Sequence, residues 1–253
     1  MKFFKQLSFF IFFIGIVSLL TSCASVSDPA EAYKNESADH IFRKGEKALR
    51  DRDYTEAISR FEALDAQYPF GRQTEIAQLH IIYAHYMKND YGLAEAAADR
   101  FIYAHPTNPH VDYAYYMRGL SNYYQNMGIF ERIFSIDLAT RDLNQIKKSY
   151  NDFARLELQF PRSDYTPAAH QYMIYLRNVI ANHELQVAKY YYRRDAYLAA
   201  ANRANTIVRH YQGAPVVPDA LVLMVKAYQA LGLNQNAEEA RAVLQYNYPN
   251  IAS

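Results

Sequence analysis

Apolar and polar residues recur along this chain in one repeated frame. In segments 53–69 and 90–106, Ala57, Phe61, Leu64 and Pro69 match Ala94, Ala98, Phe101 and Pro106 in spacing. The frame returns as Ser149, Phe153, Leu156 and Pro161, and as Ala200, Ala204 and Ile207 with Gln212 in place of the proline. A last copy reads Ala237, Arg241, Leu244 and Pro249. The first three positions, at 0, +4 and +7, share one face of an α-helix. The proline then closes the helix, because its ring cannot continue the hydrogen-bond ladder. An aromatic residue or His precedes that last position each time: Tyr68, His105, Phe160, Tyr211 and Tyr248. Upstream of each copy lies a second amphipathic segment, roughly 38–50, 74–88, 110–126, 184–194 and 218–231.

A small residue at 0 lets a partner helix approach, and a large one at +4 or +7 fills the gap. Antiparallel helix pairs of about 34 residues describe the tetratricopeptide repeat. Gly45, twelve residues before Ala57, sits where that repeat expects a small side chain. The expected fold is therefore all-α, a tetratricopeptide-like α-solenoid of about five helix pairs. Frame-to-frame distances of 37, 55, 51 and 37 residues place extra structure in two intervals. One insertion is expected within the third copy, near 128–145. The other is a helical stretch over 166–182 that runs into 183–194. The chain divides into repeats 1–3 over 38–182 and repeats 4–5 over 183–253.

The N-terminus follows a different pattern. After Lys2 and Lys5, Leu7 to Leu20 is a run of 14 residues without a charge. That is short for a bilayer span but suits a signal-peptide core. Leu20-Thr21-Ser22-Cys23 resembles the bacterial lipobox, in which cleavage exposes a diacylated, N-acylated Cys. Residues 1–22 are thus a cleaved signal, Cys23 the lipidation site and 23–37 a polar, flexible tether. Three acyl chains exceed the two signals that stable membrane anchoring needs. Ala24 and Ser25 follow, with no Asp to hold such a lipoprotein at the inner membrane, so the outer membrane is the expected location.

Composition narrows the function. The 253 residues carry 27 basic and 26 acidic side chains, and loss of Lys2 and Lys5 with the signal leaves the balance near zero. That argues against a nucleic-acid partner held by phosphate charge. The single Cys excludes an internal disulfide and a Cys-based zinc site. The eight His are scattered, and His183-Glu184 is followed by Val187 where a zinc-binding helix needs its second His. Asp137 and Asp142 make the nearest approach to a carboxylate pair, and a lone pair in a loop is commonly a solvated one. No phosphate-binding glycine loop or nucleophile elbow occurs, so neither enzyme activity, a metal nor a cofactor is expected.

The chain is rich in Tyr, with 24, and Phe, with 14. Taking Gly45, Ile82 and Gly119 as equivalent first-helix positions, the groove-facing set is Phe42, Leu49, Leu79, Tyr83, Tyr86, Tyr113, Tyr116, Tyr123 and Tyr124. Tyr couples a large ring to a hydroxyl and loses little rotamer freedom, which suits a peptide with aromatic or aliphatic anchors. Half of these rings could equally pack between repeats. Further along, Tyr190-Tyr191-Tyr192-Arg193-Arg194 and Asn202-Arg203 bring aromatic and guanidinium groups together, a surface suited to carboxylates on a folded partner. In the second repeat, Ala94 is expected inside the helix pair and Glu95 on its outer face.

The runs Tyr68-Pro69-Phe70-Gly71, Pro106-Thr107-Asn108-Pro109, Met117-Arg118-Gly119-Leu120 and Tyr191-Tyr192-Arg193-Arg194 go beyond generic repeat residues. With Phe160-Pro161, Ser163, Tyr165 and Asp137 with Arg141-Asp142, they resemble the BamD/ComL family of outer-membrane assembly lipoproteins. The resemblance covers the chain from about Asp39 to the end. It implies a periplasmic, lipid-anchored adaptor of the β-barrel assembly machinery, meeting the POTRA domain of BamA and other Bam lipoproteins. It also implies that the N-terminal repeats recognise C-terminal segments of unfolded outer membrane proteins. Carried over by position, Tyr191, Arg193, Arg194 and Arg203 are the BamA-side candidates. Asp195 departs from the family, which commonly has Gly after the Arg pair. A second reading stays open, because the ComL name points to a periplasmic lipoprotein acting on peptidoglycan or its enzymes, or in DNA uptake.

Overall fold

The structure, a computed structural model, describes residues 31–125 and 143–251. Cys23, the signal, Asp137, Arg141, Asp142 and most of the insertion expected near 128–145 lie outside the described residues. Among the described residues there are ten helices and no strand. They are α1 (Ala38–Arg50), α2 (Tyr54–Gln67), α3 (Arg72–Met87), α4 (Tyr91–Ala104) and α5 (Val111–Gln125). They continue with α6 (Asn144–Gln159), α7 (Thr166–Tyr192), α8 (Tyr197–His210), α9 (Val217–Ala230) and α10 (Asn234–Asn247). Consecutive helices pack against each other, and α1, α3 and α5 also touch in sequence, so the chain is a tetratricopeptide-like α-solenoid. No helix among the described residues is long and apolar enough to cross a membrane.

The repeated frame is the buried seam of each pair. Ala57, Phe61 and Leu64 are fully buried, as are Ser149, Phe153 and Leu156, and Ala200, Ala204 and Ile207. Gly45 lies beneath Phe61, so close that an added Cβ would fall 2.6 Å from the ring. Gly119 meets Phe153 in the same way, again at 2.6 Å. At the equivalent places in the second pair the sizes are exchanged: Ile82 replaces the glycine and Ala98 replaces the phenylalanine, both fully buried. The seam thus keeps its volume while its large residue changes helix.

The connections repeat too. Tyr68, His105, Phe160, Tyr211 and Tyr248 each cap a second helix, their N–H bonding the carbonyl of Leu64, Phe101, Leu156, Ile207 or Leu244 at 2.8–2.9 Å. Within the pairs, Arg52, Asn89, Asp195 and Gly232 adopt left-handed backbone, with φ of 62°, 64°, 58° and 71°. Each closes a paired hydrogen-bond turn, for example Asp195 N–H to Tyr192 O and Ala196 N–H to Tyr191 O, both 3.1 Å. Asp195 therefore makes the turn that a glycine makes in the last pair. Its carboxylate accepts a hydrogen bond from Tyr197 Oη at 2.6 Å, as Asn89 Oδ1 does from Tyr91.

Two features differ from the expectation of simple pairs. The stretch 166–182 and the segment 183–194 form one unbroken helix, α7, of 27 residues. Leu176 and Ile180 belong to the core of the first three pairs, whereas Ala181, Leu185 and Ala188 belong to that of the last two. The end of the expected tether is also bound. Tyr33 stacks under the Arg60 guanidinium at 4.1 Å and donates from its hydroxyl to Glu56 at 3.1 Å. Glu36 takes Arg60 at 3.1 Å, and its carbonyl accepts from Tyr68 Oη at 3.2 Å. These contacts fasten residues 32–36 to α2 of the first pair.

Candidate functional site

The first helices of the pairs leave a trough. Leu49 of α1, Ile76, Leu79, His80 and Tyr83 of α3, Tyr113 of α5, and His110 and Tyr165 from the loops surround a cavity of about 490 Å³. Its wall is chiefly aliphatic and aromatic. Burial pushes the Tyr113 hydroxyl well above the ordinary phenol value, and the nearby Tyr165 and Tyr83 add to the effect. It also pushes His80 below the ordinary imidazole value, against the pull of Glu46. Both shifts favour the uncharged forms of these two rings.

The structure divides the expected groove set. Leu49, Leu79, Tyr83 and Tyr113 line the cavity. Phe42 stands behind its wall, 6.3 Å from His80 and 6.0 Å from Phe61 between ring centres. Tyr116 supports the other side, stacked on Tyr165 at 5.1 Å. Tyr86, Tyr123 and Tyr124 are not on this wall. They form a second cluster with Tyr91, Tyr172 and Tyr175, in which Tyr86 and Tyr124 meet at 5.8 Å and Tyr123 and Tyr172 at 5.2 Å. Burial, with Tyr175 and Tyr124 close by, pushes Tyr123 up to about 12. Ile76, His80, His110 and Tyr165 were missed from sequence. Tyr172 and Tyr175 were missed because they lie in the stretch outside the repeat frame. Their spacing of three residues on a helix was the available signal.

At the other end, Tyr191 packs beside buried Ala200, Ala201 and Ala227. Arg193 and Arg194 are exposed at the end of α7. The Arg194 guanidinium lies 4.8 Å above the Tyr190 ring. Arg203 is already engaged, since its Nη1 donates to Glu184 Oε2 at 3.1 Å, and that carboxylate is nearly buried. The Arg pair is thus the freer part of this flank.

Two of the singled-out runs have structural roles. In Pro106-Thr107-Asn108-Pro109, the Asn108 amide donates to Glu75 at 2.6 Å and its carbonyl accepts the His110 N–H at 2.8 Å, pinning the loop to α3 and opening α5. In Met117-Arg118-Gly119-Leu120, Gly119 receives Phe153, and Arg118 forms a buried ion pair with Asp152 at 2.7 Å. Burial raises the Asp152 carboxyl, with Arg118 and Asn122 opposing. Among the described residues no cluster of three His, Cys, Asp or Glu is placed to hold a metal.

The Outer membrane lipoprotein family YfiO matches residues 34–244. An "Outer membrane protein assembly factor BamD" of Neisseria meningitidis is 34% identical over 233 residues, covering 91% of this chain and 87% of its own. The proteins of the same name from Xylella fastidiosa Temecula1 and Vibrio cholerae are 37% and 33% identical. The first match covers 84% of this chain and 72% of its relative, the second 91% and 95%. With the repeated helix pairs and this coverage, the chain belongs to the YfiO family of outer membrane lipoproteins.

Proposed function

We propose that this chain works in outer membrane protein assembly as a non-catalytic adaptor. Its relatives carry that assembly role in their names. Lipid on Cys23 holds it to the outer membrane, facing the periplasm. The trough takes the C-terminal segment of an unfolded β-barrel protein, and the flank of Tyr191, Arg193, Arg194 and Arg203 meets the POTRA domain of BamA, with other Bam lipoproteins alongside. The observation that carries this reading is the open trough with Leu49, Leu79, Tyr83 and Tyr113 on its wall. An extended strand presents alternate side chains to one side, so apolar anchors two residues apart fit a ring-lined channel.

The test is photocrosslinking in intact cells from Tyr83 and Arg194, each replaced by a benzoylphenylalanine. Tyr83 is expected to capture the C-terminal segment of a β-barrel substrate, and Arg194 to capture BamA. Failure of the Tyr83 probe to capture any such segment, with the substrate crosslinked from another position, removes the trough from the mechanism. Retained co-purification of BamA with the double variant Arg193→Glu, Arg194→Glu removes the flank. Cys23→Ala is expected to shift the protein out of the outer-membrane fraction.

A further inference from the structure

The pinned segment before α1 and the loop after α2 meet at one edge of the first pair. Gln67 Nε2, at the end of α2, donates to Ala32 O, and Tyr68 Oη donates to Glu36 O at 3.2 Å. Two residues beyond Tyr68, Phe70 is 93% exposed. Its loop is fixed from both sides. Tyr68 N–H donates to Leu64 O at 2.8 Å, and Thr74 Oγ1 donates to Tyr68 O at 2.6 Å. An ideal Cβ on Gly71 would meet nothing within 4 Å, so the tip of the loop stands in open space.

An aromatic residue here is particular to the pair that holds the tether. The residue after the frame's closing position is Phe70 in the first copy and Thr107, Arg162, Gly213 and Asn250 in the others. A ring held out in water keeps apolar area that burial would favour. Arg72, two residues further on, is exposed and makes no ion pair or hydrogen bond among the described residues. The carboxylates of the pinned segment and of the start of α1 are matched: Glu31 by Lys34 at 2.9 Å, Glu36 by Arg60 at 3.1 Å and Asp39 by Arg43 at 2.5 Å. A displayed ring beside an unmatched guanidinium suits the headgroup layer of a bilayer, where rings enter the acyl boundary and cations meet phosphate. Chain length points to the same occupant. Nine peptide steps separate Cys23 from Ala32, a reach of at most about 32 Å, and Ala32 is held at the edge that carries the loop.

We propose that the loop 68–72 is a second contact with the lipid surface. The Phe70 ring enters the headgroup–acyl boundary of the leaflet that carries the Cys23 lipid, and Arg72 meets lipid phosphate. The inference rests on the lipidation of Cys23 proposed above and is independent of the trough. A lipid alone fixes one point of the chain. A ring beside the pinned end of the tether also sets which edge of the first pair faces the bilayer.

The chain has no Trp, so Phe70→Trp and, separately, Tyr246→Trp each give the full-length lipoprotein a single fluorophore. Tyr246, 88% exposed on the last helix, is the control remote from the tether. Both substitutions sit on the surface, and circular dichroism melting checks their fold. The variants are reconstituted into vesicles of phosphatidylethanolamine and phosphatidylglycerol, with plain or brominated acyl chains. Phe70→Trp is expected to lose most of its emission to the brominated lipid and Tyr246→Trp to lose little. Adding Arg72→Glu to Phe70→Trp is expected to weaken the quenching, and unchanged quenching overturns the phosphate contact. Flotation of the same vesicles reports the anchor separately. Protein that does not float overturns the Cys23 reading and the proposal with it. Protein that floats while Phe70→Trp stays unquenched overturns the proposal and leaves the anchor standing. Equal quenching of the two variants assigns the effect to general adsorption, and a blue shift of Phe70→Trp without quenching assigns the loop to a protein neighbour. Either result overturns it as well.

Discussion

Gly45 and Phe61 are packed so closely that the ring occupies the space a side chain on residue 45 would need: the nearest ring carbon is 2.6 Å from an ideal Cβ. Alanine is a better helix former than glycine, by about 1 kcal/mol. Here it must displace a fully buried ring. Gly45→Ala and Gly119→Ala are each expected to lower stability by about 1–3 kcal/mol in urea denaturation. Pairing Gly45→Ala with Phe61→Leu should recover part of the loss, because the two sites share one volume. Full additivity would contradict the packing.

Arg118 has one buried and one exposed partner, and the two should be unequal. Asp152 is 10% exposed in its side chain and Asp99 is 56% exposed. Removing one member of a buried pair strands the other, at a cost of about 3–5 kcal/mol, whereas an exposed pair is worth about 0–1 kcal/mol. Asp152→Ala is expected to approach the first figure and Asp99→Ala the second, by denaturation. Glu95 belongs with this group and not on an open outer face, since its side chain is 19% exposed and pairs with Lys148 of α6.

The left-handed turns give a test independent of packing. Nothing lies within 4 Å of an ideal Cβ on Gly232, so Gly232→Ala meets no clash and is charged only for its φ of +71°. The expected loss is roughly 1–2 kcal/mol, seen as a lowered melting temperature. Gly71→Ala is a useful comparison, with φ of +145° and equally open space.

Stability should fall on mild acidification. Burial depresses His80, with Glu46 opposing, and depresses His85, with Asp90 opposing. In the unfolded chain these imidazoles take up protons near their ordinary value of 6.5 while the folded chain resists. The unfolded state then binds more protons, so stability drops as pH falls through about 6.5 towards the lower folded values. His80→Gln is expected to flatten the melting temperature between pH 7.5 and 5.5. An unchanged slope would show that other groups set it.

Much of the fold was legible because helix pairs of one length must bury the same positions. Ala57, Phe61 and Leu64 are predictable from spacing alone, and so are their counterparts in α4, α6 and α8. Arg241 marks the limit: at the frame's middle position on α10 it is only half-buried and pairs with Glu238. The trough was half legible. Repeat phase identified Tyr83 and Tyr113, but Tyr86, Tyr123 and Tyr124 turn into a ring cluster because α7 brings Tyr172 and Tyr175 beside them. That approach depends on where an inserted stretch lands, which no internal repeat records. Tyr165 joins the wall from a loop beyond the third copy, and His80 is set by Phe42 and Phe61 of the first pair, so each depends on neighbours distant in sequence.

The unbroken α7 has a mechanical consequence. At 1.5 Å per residue a helix of 27 residues is a rod of roughly 40 Å. Tyr165, on the trough wall, stands immediately before one tip, and Tyr190 with Arg194 stand at the other. A load applied at either tip has no hinge in which to dissipate, so whatever grips one end of this strut sets the attitude of the other.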